Sequence, residues 1–318
     1  MRVLWFLACC CPLLSRSQAA ITEYLNKYGG ITDEKKATSY LKIFQVNDTA
    51  KIFPVAEYWL DGHLKMSGFS TERKYLLRTG VFTYYYKNGM KSEEGSYSSN
   101  NQKLGKWKRW YASGKKMDEW LYKPSDEHKQ TDAYLYNFWD STGVQLVTKG
   151  NGWYFFADEV LTVDSSQKVV FAGSVKEGKF DSAWTGFYSD GKKYCVEQYH
   201  QGKLLYGRSY DLKGMEYIYD TIQELQRVDD AAIWKFIARN MQYPKLERDN
   251  DIQGLVLVKF RIDGDGSIDS IQIIKSVSPG IDKEALRVIK LLPKFTPAQV
   301  RGQPITLWVV QPLRFSLQ

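Results

Sequence analysis

Three histidines, His63, His128 and His200, are the only imidazoles in the 318-residue chain. None stands at an H-x-x-x-H spacing or beside a G-x-S-x-G elbow, so neither a zinc site nor a hydrolase triad is assembled locally. The paired carboxylates Glu93-Glu94 and Asp229-Asp230 fall in a predicted turn-to-strand segment and at a predicted helix cap, where acids serve structure. Asp263, Asp265, Ser267 and Asp269 occupy alternate positions in the manner of a calcium loop. That loop requires Gly at its sixth position and a bidentate Glu at its twelfth, and here these are Ile268 and Ile274. We therefore expect no catalysis, no metal and no cofactor. Lys106-Trp107-Lys108-Arg109-Trp110 carries the residue types that hold single-stranded nucleic acid, cations for phosphates and rings for bases. An export signal argues against such a partner, and the stretch reads instead as strand aromatics flanked by solvated charges. The same surface could meet lipid head groups, glycan or protein, and its residues do not choose among them.

The elements that position these residues are mostly strands. Tyrosine (22), phenylalanine (15) and tryptophan (10) dominate over nine prolines, a composition suited to half-buried sheet faces. A hydrophobic fraction of 43% with 25% charged residues excludes wholesale disorder, collagen and a polytopic membrane protein, and the length leaves room for two domains. Arg2 precedes an apolar run from Val3 to Leu14, and Ser17-Gln18-Ala19 follows with small residues, which reads as a secretory signal cleaved after Ala19. The alternatives are an uncleaved anchor, although the run is short for a span and contains Pro12, or a lipid on Cys9, Cys10 or Cys11. Cleavage leaves Cys195 as the sole thiol, so no internal disulfide forms, and the apolar Tyr194-Cys195-Val196 context predicts a buried structural cysteine. It also removes Arg2 and Arg16 from a formal surplus of +8.

Turn glycines recur at Gly62, Gly89, Gly114, Gly143, Gly191 and Gly214, with spacings of 27, 25, 29, 48 and 23 residues. The 48 is about two periods, so one turn between Gly143 and Gly191 has drifted. Gly68 and Gly95 each follow a turn glycine by six, and Gly80 and Gly105 lie 25 apart. Trp107, Trp110 and Tyr111 fall one period after Phe82, Tyr85 and Tyr86. Such self-similarity predicts stacked β-hairpins with glycine in the turns and aromatics paired across strands, each hairpin stabilised by its neighbours. Units such as Tyr86-Lys87-Asn88-Gly89-Met90-Lys91-Ser92-Glu93-Glu94-Gly95-Ser96-Tyr97 and Gly105-Lys106-Trp107-Lys108-Arg109-Trp110-Tyr111 resemble MORN-type repeats over about residues 58–220. That resemblance informs fold more than function. Residues 20–55 read as a leading strand or short helix that caps the stack.

From Asp229 the pattern changes. Asp229 or Asp230 caps a helix carrying Ile233, Trp234, Ile237 and Met241, which Tyr243-Pro244 ends. Val256, Val258, Phe260 and Ile262 alternate in a strand that turns at Asp263-Gly264-Asp265-Gly266 into a second, with a bulge expected near Asp269. A second helix, capped by Asp282, carries Ala285, Leu286, Ile289 and Leu292 and stops at Pro293. A last strand, Ile305 to Phe315, contains Pro312, which cannot donate to a ladder, so it should lie on a sheet edge. The whole is mainly β plus α+β: 1–19 signal peptide, 20–220 hairpin-repeat domain, 221–318 a small α-β-β-α-β domain.

Gln242-Tyr243-Pro244, Gly254 with the Val256/Val258/Phe260 alternation, and Asp265-Gly266 carry a second resemblance. Ser276, Asp282-Lys283-Glu284-Ala285, Pro293, Pro297, Gly302, Pro304 and Pro312-Leu313-Arg314-Phe315 extend it in order. The region looks like the C-terminal domain of the TonB family. The resemblance implies a periplasmic domain that grips an outer-membrane receptor segment and passes on force from an inner-membrane energising complex. Strand addition is the physical means; Ile305 to Gln311 is the available edge, with Leu307, Trp308, Val309 and Val310 as its contacts. The resemblance carries over Gln242, Tyr243 and Pro244 as further contacts. Tyr243 and Trp308 read equally as core aromatics. The chain departs from the transducer pattern in having no proline-rich spacer: six of the nine prolines lie at or after Pro244. The alternative is an envelope scaffold whose repeat sheet binds the ligand while the C-terminal domain docks passively. An exposed edge can also pair with itself, which leaves a homodimer open.

Overall fold

The computed structural model describes residues 20–45, 51–125, 131–162, 166–220 and 230–317. The signal segment, Cys9 to Cys11, His128 and the Asp229 cap lie outside the described residues. The first sixteen strands are β1 (Ala20–Leu25), β2 (Ser39–Phe44), β3 (Phe53–Trp59), β4 (Leu64–Ser70), β5 (Arg78–Tyr85), β6 (Lys91–Tyr97), β7 (Lys103–Trp110) and β8 (Lys116–Pro124), then β9 (Thr131–Trp139), β10 (Gln145–Thr148), β11 (Asn151–Leu161), β12 (Ser166–Lys176), β13 (Lys179–Tyr188), β14 (Lys193–His200), β15 (Lys203–Tyr210) and β16 (Glu216–Tyr219). Their order in the sheet is chain order, as a hairpin repeat requires. The leading segment 20–55 supplies β1 and β2 as ordinary strands of this sheet, with one 3-10 turn at Glu34–Lys36 between them.

All six turn glycines have positive φ, from 80° to 102°. One turn is repeated throughout. Its glycine N–H bonds to the carbonyl three residues back, as from Gly89 to Tyr86, and the residue opening the turn bonds to the carbonyl four ahead, as from Tyr86 to Met90. Residues 163–165, between β11 and β12, where the sequence leaves room for the drifted turn, lie outside the described residues.

By packing, the chain divides into two compact units. The first holds the described residues up to Tyr154 together with Val175–Lys179. In it the fully buried Phe82 and Trp107 rings lie over Gly68 and Gly95, and a β-carbon added at Gly95 would sit 2.1–2.4 Å from the Trp107 ring. The second glycine series thus marks where a ring covers the neighbouring strand. Tyr97 meets both Phe82 and Trp107 edge-on, with centroids 5.1 and 5.0 Å away. The Tyr86 and Tyr111 hydroxyls donate to the Trp110 and Trp139 carbonyls at 2.7 and 2.9 Å, tying each hairpin to the next. In the basic-aromatic stretch, Trp107 is buried and Arg109 Nε donates to the buried Asp118 at 2.8 Å. These are strand aromatics and a paired charge, which leaves Trp107 no face on which a base could stack.

The second unit holds Phe155–Ser174 and everything described from Phe180 onward. It repeats the device with Trp184 over Gly173 and Tyr219 over Gly207. Cys195 is buried beside Gly186, and burial pushes its thiol up to about 12, so it is an inert structural cysteine. The remaining elements are α1 (Asp230–Asn240), α2 (Lys245–Asp249), β17 (Gly254–Ile262), β18 (Ile268–Lys275), α3 (Pro279–Lys290), β19 (Gln299–Val300), β20 (Gln303–Pro304) and β21 (Leu307–Phe315). The three long strands form a sheet in the order β18-β17-β21. Val256, Val258, Phe260 and Ile262 on β17 meet Ile233 and Ile237 of α1 and Ile281, Ala285, Val288 and Ile289 of α3 in one apolar core.

Several details differ from the expected α-β-β-α-β pattern. The cap of α3 is Ser278, whose hydroxyl accepts from the Ile281 N–H at 3.3 Å, because Pro279 suits the first helical position and draws the start forward. Asp282 lies inside the first turn and accepts from the Ser276 hydroxyl at 2.5 Å. Met241 falls beyond the end of α1 at Asn240, and Trp234 turns outward, 43% exposed. Pro244 starts a second short helix, α2, as well as barring continuation of the first. The bulge near Asp269 is at Ser270, with φ of 52°. The last strand begins at Leu307, two residues late, because the Ile305 N–H is held by the Ala298 carbonyl in closing the β19–β20 hairpin.

Candidate partner-binding edge

β21 pairs on one side with β17, and it is the last strand in its sheet. The ladder runs from Gly254 opposite Phe315 to Ile262 opposite Leu307 without a register shift, nine pairs in a row. The other edge, β18, is different. Its pairing with β17 shifts twice, and Ser270 stands in the left-handed region between Asp269 and Gln272. Bulges twist a strand and interrupt its row of donors and acceptors, which is how sheet edges are protected from added strands. Of the two edges, β21 alone keeps a regular register, and its one missing donor, at Pro312, lies beyond the Leu307 to Val310 segment.

Side chains along β21 alternate. Val309 packs on the core, and Leu313 and Phe315 are buried in it. Trp308 and Val310 are half exposed on the opposite face, where the Lys259 ammonium stands 4.3 Å from the Trp308 ring centroid. Arg261, opposite Trp308 in the ladder, is paired with Asp263 and Asp269, each at 2.7 Å. Leu307 to Val310 therefore form a contiguous edge segment with an aromatic and aliphatic face beside cations.

The Gln242-Tyr243-Pro244 segment lies at the other end of the strand. Tyr243 packs edge-on against Phe315, with centroids 5.7 Å apart, and donates to the Ile252 carbonyl at 2.7 Å. Phe315 and Leu307 are eight residues apart, roughly 26 Å along an extended strand. The structure therefore does not cluster the seven candidate residues at one spot; it spreads them along one strand's length. The alternative reading of the two aromatics divides between them: Tyr243 packs at the core margin and Trp308 faces out.

Two residues that sequence reasoning missed hold the Gln242 segment in place. The Glu284 carboxylate on α3 accepts from the Gln242 N–H at 2.6 Å and from Arg287 Nε at 2.6 Å, and Arg287 also donates to the Asn240 carbonyl at 2.7 Å. Burial alone would raise the Glu284 carboxyl; the hydrogen bonds from Arg287 and the Gln242 N–H outweigh it and hold the group below its ordinary value. The Glu284/Arg287 spacing of three on a helix was visible, but their partner 42 residues earlier was not.

The acids of the imitation calcium loop are otherwise engaged. Asp265 accepts from the Ser267 hydroxyl at 2.6 Å and from Lys294 at 2.9 Å, which hold its carboxyl well below the usual range. His63 and His200 stand 3.1 and 3.5 Å from Asp61 and Asp181 on the surface. No group of His, Cys, Asp and Glu among the described residues is arranged to hold a metal ion. No described helix is long and apolar enough to cross a membrane. Residues 239–317 match the family described as Gram-negative bacterial TonB protein C-terminal. No curated relative matches the chain.

Proposed function

We propose that the C-terminal domain receives an extended segment of an outer-membrane transporter as an added strand on β21, and that the protein works in TonB-type transport from the periplasm after loss of its first nineteen residues. The unbroken β21 ladder is the observation that carries this reading, beside the family match over 239–317. The visiting backbone pairs with Leu307 to Val310, and its outward side chains lie along Trp308 and Val310, beside Lys259. A segment of alternating apolar and acidic residues fits that face. Gln242 and Tyr243 meet the same peptide near Phe315 only if it runs the full strand. The hairpin stack, MORN-like in this reading, stands where a transducer has its proline-rich spacer, and an inner-membrane energising complex would engage the protein elsewhere.

The experiment is titration of the full exported chain with a panel of transporter plug-segment peptides by calorimetry. Each backbone bond adds about 0.5–1.5 kcal/mol, so a handful gives micromolar to millimolar binding. Val309→Pro, which removes a backbone donor from β21, should weaken it at least about tenfold, whereas Gln272→Pro on the bulged β18 edge should leave it unchanged. Absence of binding to every peptide, or equal loss from both substitutions, overturns the proposal.

A further inference from the structure

Arg301, at the tip of the β19–β20 hairpin, is a non-glycine residue in the left-handed region, with φ of 52°, and Gly302 follows at 75°. That backbone disfavours a β-carbon and persists only where the surroundings enforce it. Its side chain reaches into the last hairpins of the repeat sheet. Arg301 Nε donates to Glu197 Oε1 on β14 at 2.7 Å, and the two side chains are 16% and 3% exposed. The guanidinium carbon lies 4.8 Å from the Phe171 ring centroid and 5.8 Å from that of Tyr194. Tyr219 and Tyr199 donate their hydroxyls to Glu197 at 2.7 and 3.0 Å, and the Ser209 hydroxyl donates to the Arg301 carbonyl at 2.7 Å. The carboxylate thus receives a cation and two neutral donors inside an aromatic wall, the condition under which a buried charge pair is tolerated.

The same hairpin covers the end of the sheet. β16 is the last strand in the sheet order, and a β-carbon at Gly302 would stand 3.3 Å from Tyr217 Cβ and 3.4 Å from the Ile218 carbonyl oxygen. A stack of hairpins needs such a cover on its terminal strand. From Arg301 the chain runs six residues to Leu307, where β21 begins.

We propose that Arg301 is a latch that joins the C-terminal domain and the hairpins β13–β16 into one cooperative body, so that tension or occupancy on β21 reaches the repeat sheet through Glu197. Residues 221–229 would then not be the sole connection. Transmission from β21 rests on the strand-addition reading; the cooperative body does not.

Hydrogen exchange of the full exported chain, resolved by mass spectrometry, tests this. In the unaltered protein the slowest amides of β14–β15 and of β17 should open together, with protection equal within about threefold. Arg301→Asn keeps a residue that accepts the left-handed backbone but removes the cation; it should speed exchange in 299–306 and β14–β16 about a hundredfold while β17 keeps its protection. Glu197→Gln, which removes the charge and keeps one of the two acceptor oxygens, should do the same about tenfold. Addition of a β21-edge peptide should slow exchange in β14–β16 of the unaltered protein and not of Arg301→Asn, although both bind it. Protection that already differs between β14–β15 and β17 in the unaltered protein, or that neither substitution changes, overturns the latch. A chain that behaves as expected in exchange yet binds no peptide retains the latch and loses the strand-addition reading instead.

Discussion

The repeat sheet and the C-terminal sheet use one turn and cover their faces in opposite ways. Asp263 to Ser267 closes with the same two hydrogen bonds as the six repeat turns, Gly266 N–H to the Asp263 carbonyl and Asp263 N–H to the Ser267 carbonyl. Beyond the turn the resemblance ends. The C-terminal sheet lies under helices α1 and α3 and buries aliphatic chains between layers. The repeat strands bury rings against glycines of adjacent strands, Phe82 on Gly68, Trp107 on Gly95 and Trp184 on Gly173. Between helices and sheet a lost methyl leaves a cavity that closes only partly, whereas a ring lying flat on backbone leaves no space for even one added carbon. The two regions should therefore fail to different substitutions.

Gly95→Ala is the sharpest test and the largest expected effect. Its new carbon would overlap a fully buried indole wedged between Tyr97 and Tyr122, at a cost of about 3 kcal/mol or more. Thermal unfolding followed by tryptophan fluorescence should show it, and an unchanged midpoint would remove the distinction between the regions. Val258→Ala, in the aliphatic core, should cost about 2–3 kcal/mol through lost burial and a cavity. Gly89→Ala should cost only about 1 kcal/mol, since Gly89 needs a positive φ but has nothing within 4 Å of its missing carbon. Turn and strand glycines of one repeat thus separate by a factor of about three in measured ΔΔG.

Local and periodic features of this molecule were legible in its sequence, and distant pairings were not. The 25-residue spacing and the turn glycines led to the hairpin stack, and alternation over Val256 to Ile262 led to the central strand of the C-terminal sheet. Pro312 marked β21 as an edge. That Gly68 and Gly95 keep step with the turns was plain, but their reason, a ring from the next hairpin, depends on strand pairing that spacing alone does not specify. Ser278 lost to Asp282 as the expected cap because Pro279-Gly280 reads as a helix breaker, although proline is favoured at the first helical position. Glu197 and Arg301 lie 104 residues apart, in segments of different pattern, so no local rule joins them. The candidate residues were found as two segments, and only the structure shows that a full strand separates them.

The smallest effect we expect also contrasts the two regions, because acid should loosen one end of the binding edge through a carboxylate on a core helix, whereas the repeats carry their acid-sensitive groups in turns. Glu284 has a folded-state pKa held below its ordinary value by Arg287 and the Gln242 N–H, in spite of burial. A depressed carboxyl contributes stability that is present above its unfolded value and is lost as pH falls through the folded one. The Gln242 segment should therefore hold its place at neutral pH and loosen in acid, below the ordinary glutamate range, whereas in the repeat sheet the acids held low by local hydrogen bonds, Asp61, Asp140 and Asp190, stand in exposed turns and not in the strands. Glu284→Gln, isosteric and unable to ionise, should flatten that dependence, read as hydrogen exchange at Gln242 and Tyr243 between pH 6 and pH 3 after correction for intrinsic rates. If the unaltered protein and Glu284→Gln lose protection there in parallel, the carboxylate is not what fastens the segment, and the Tyr243 contact with Phe315 holds it alone.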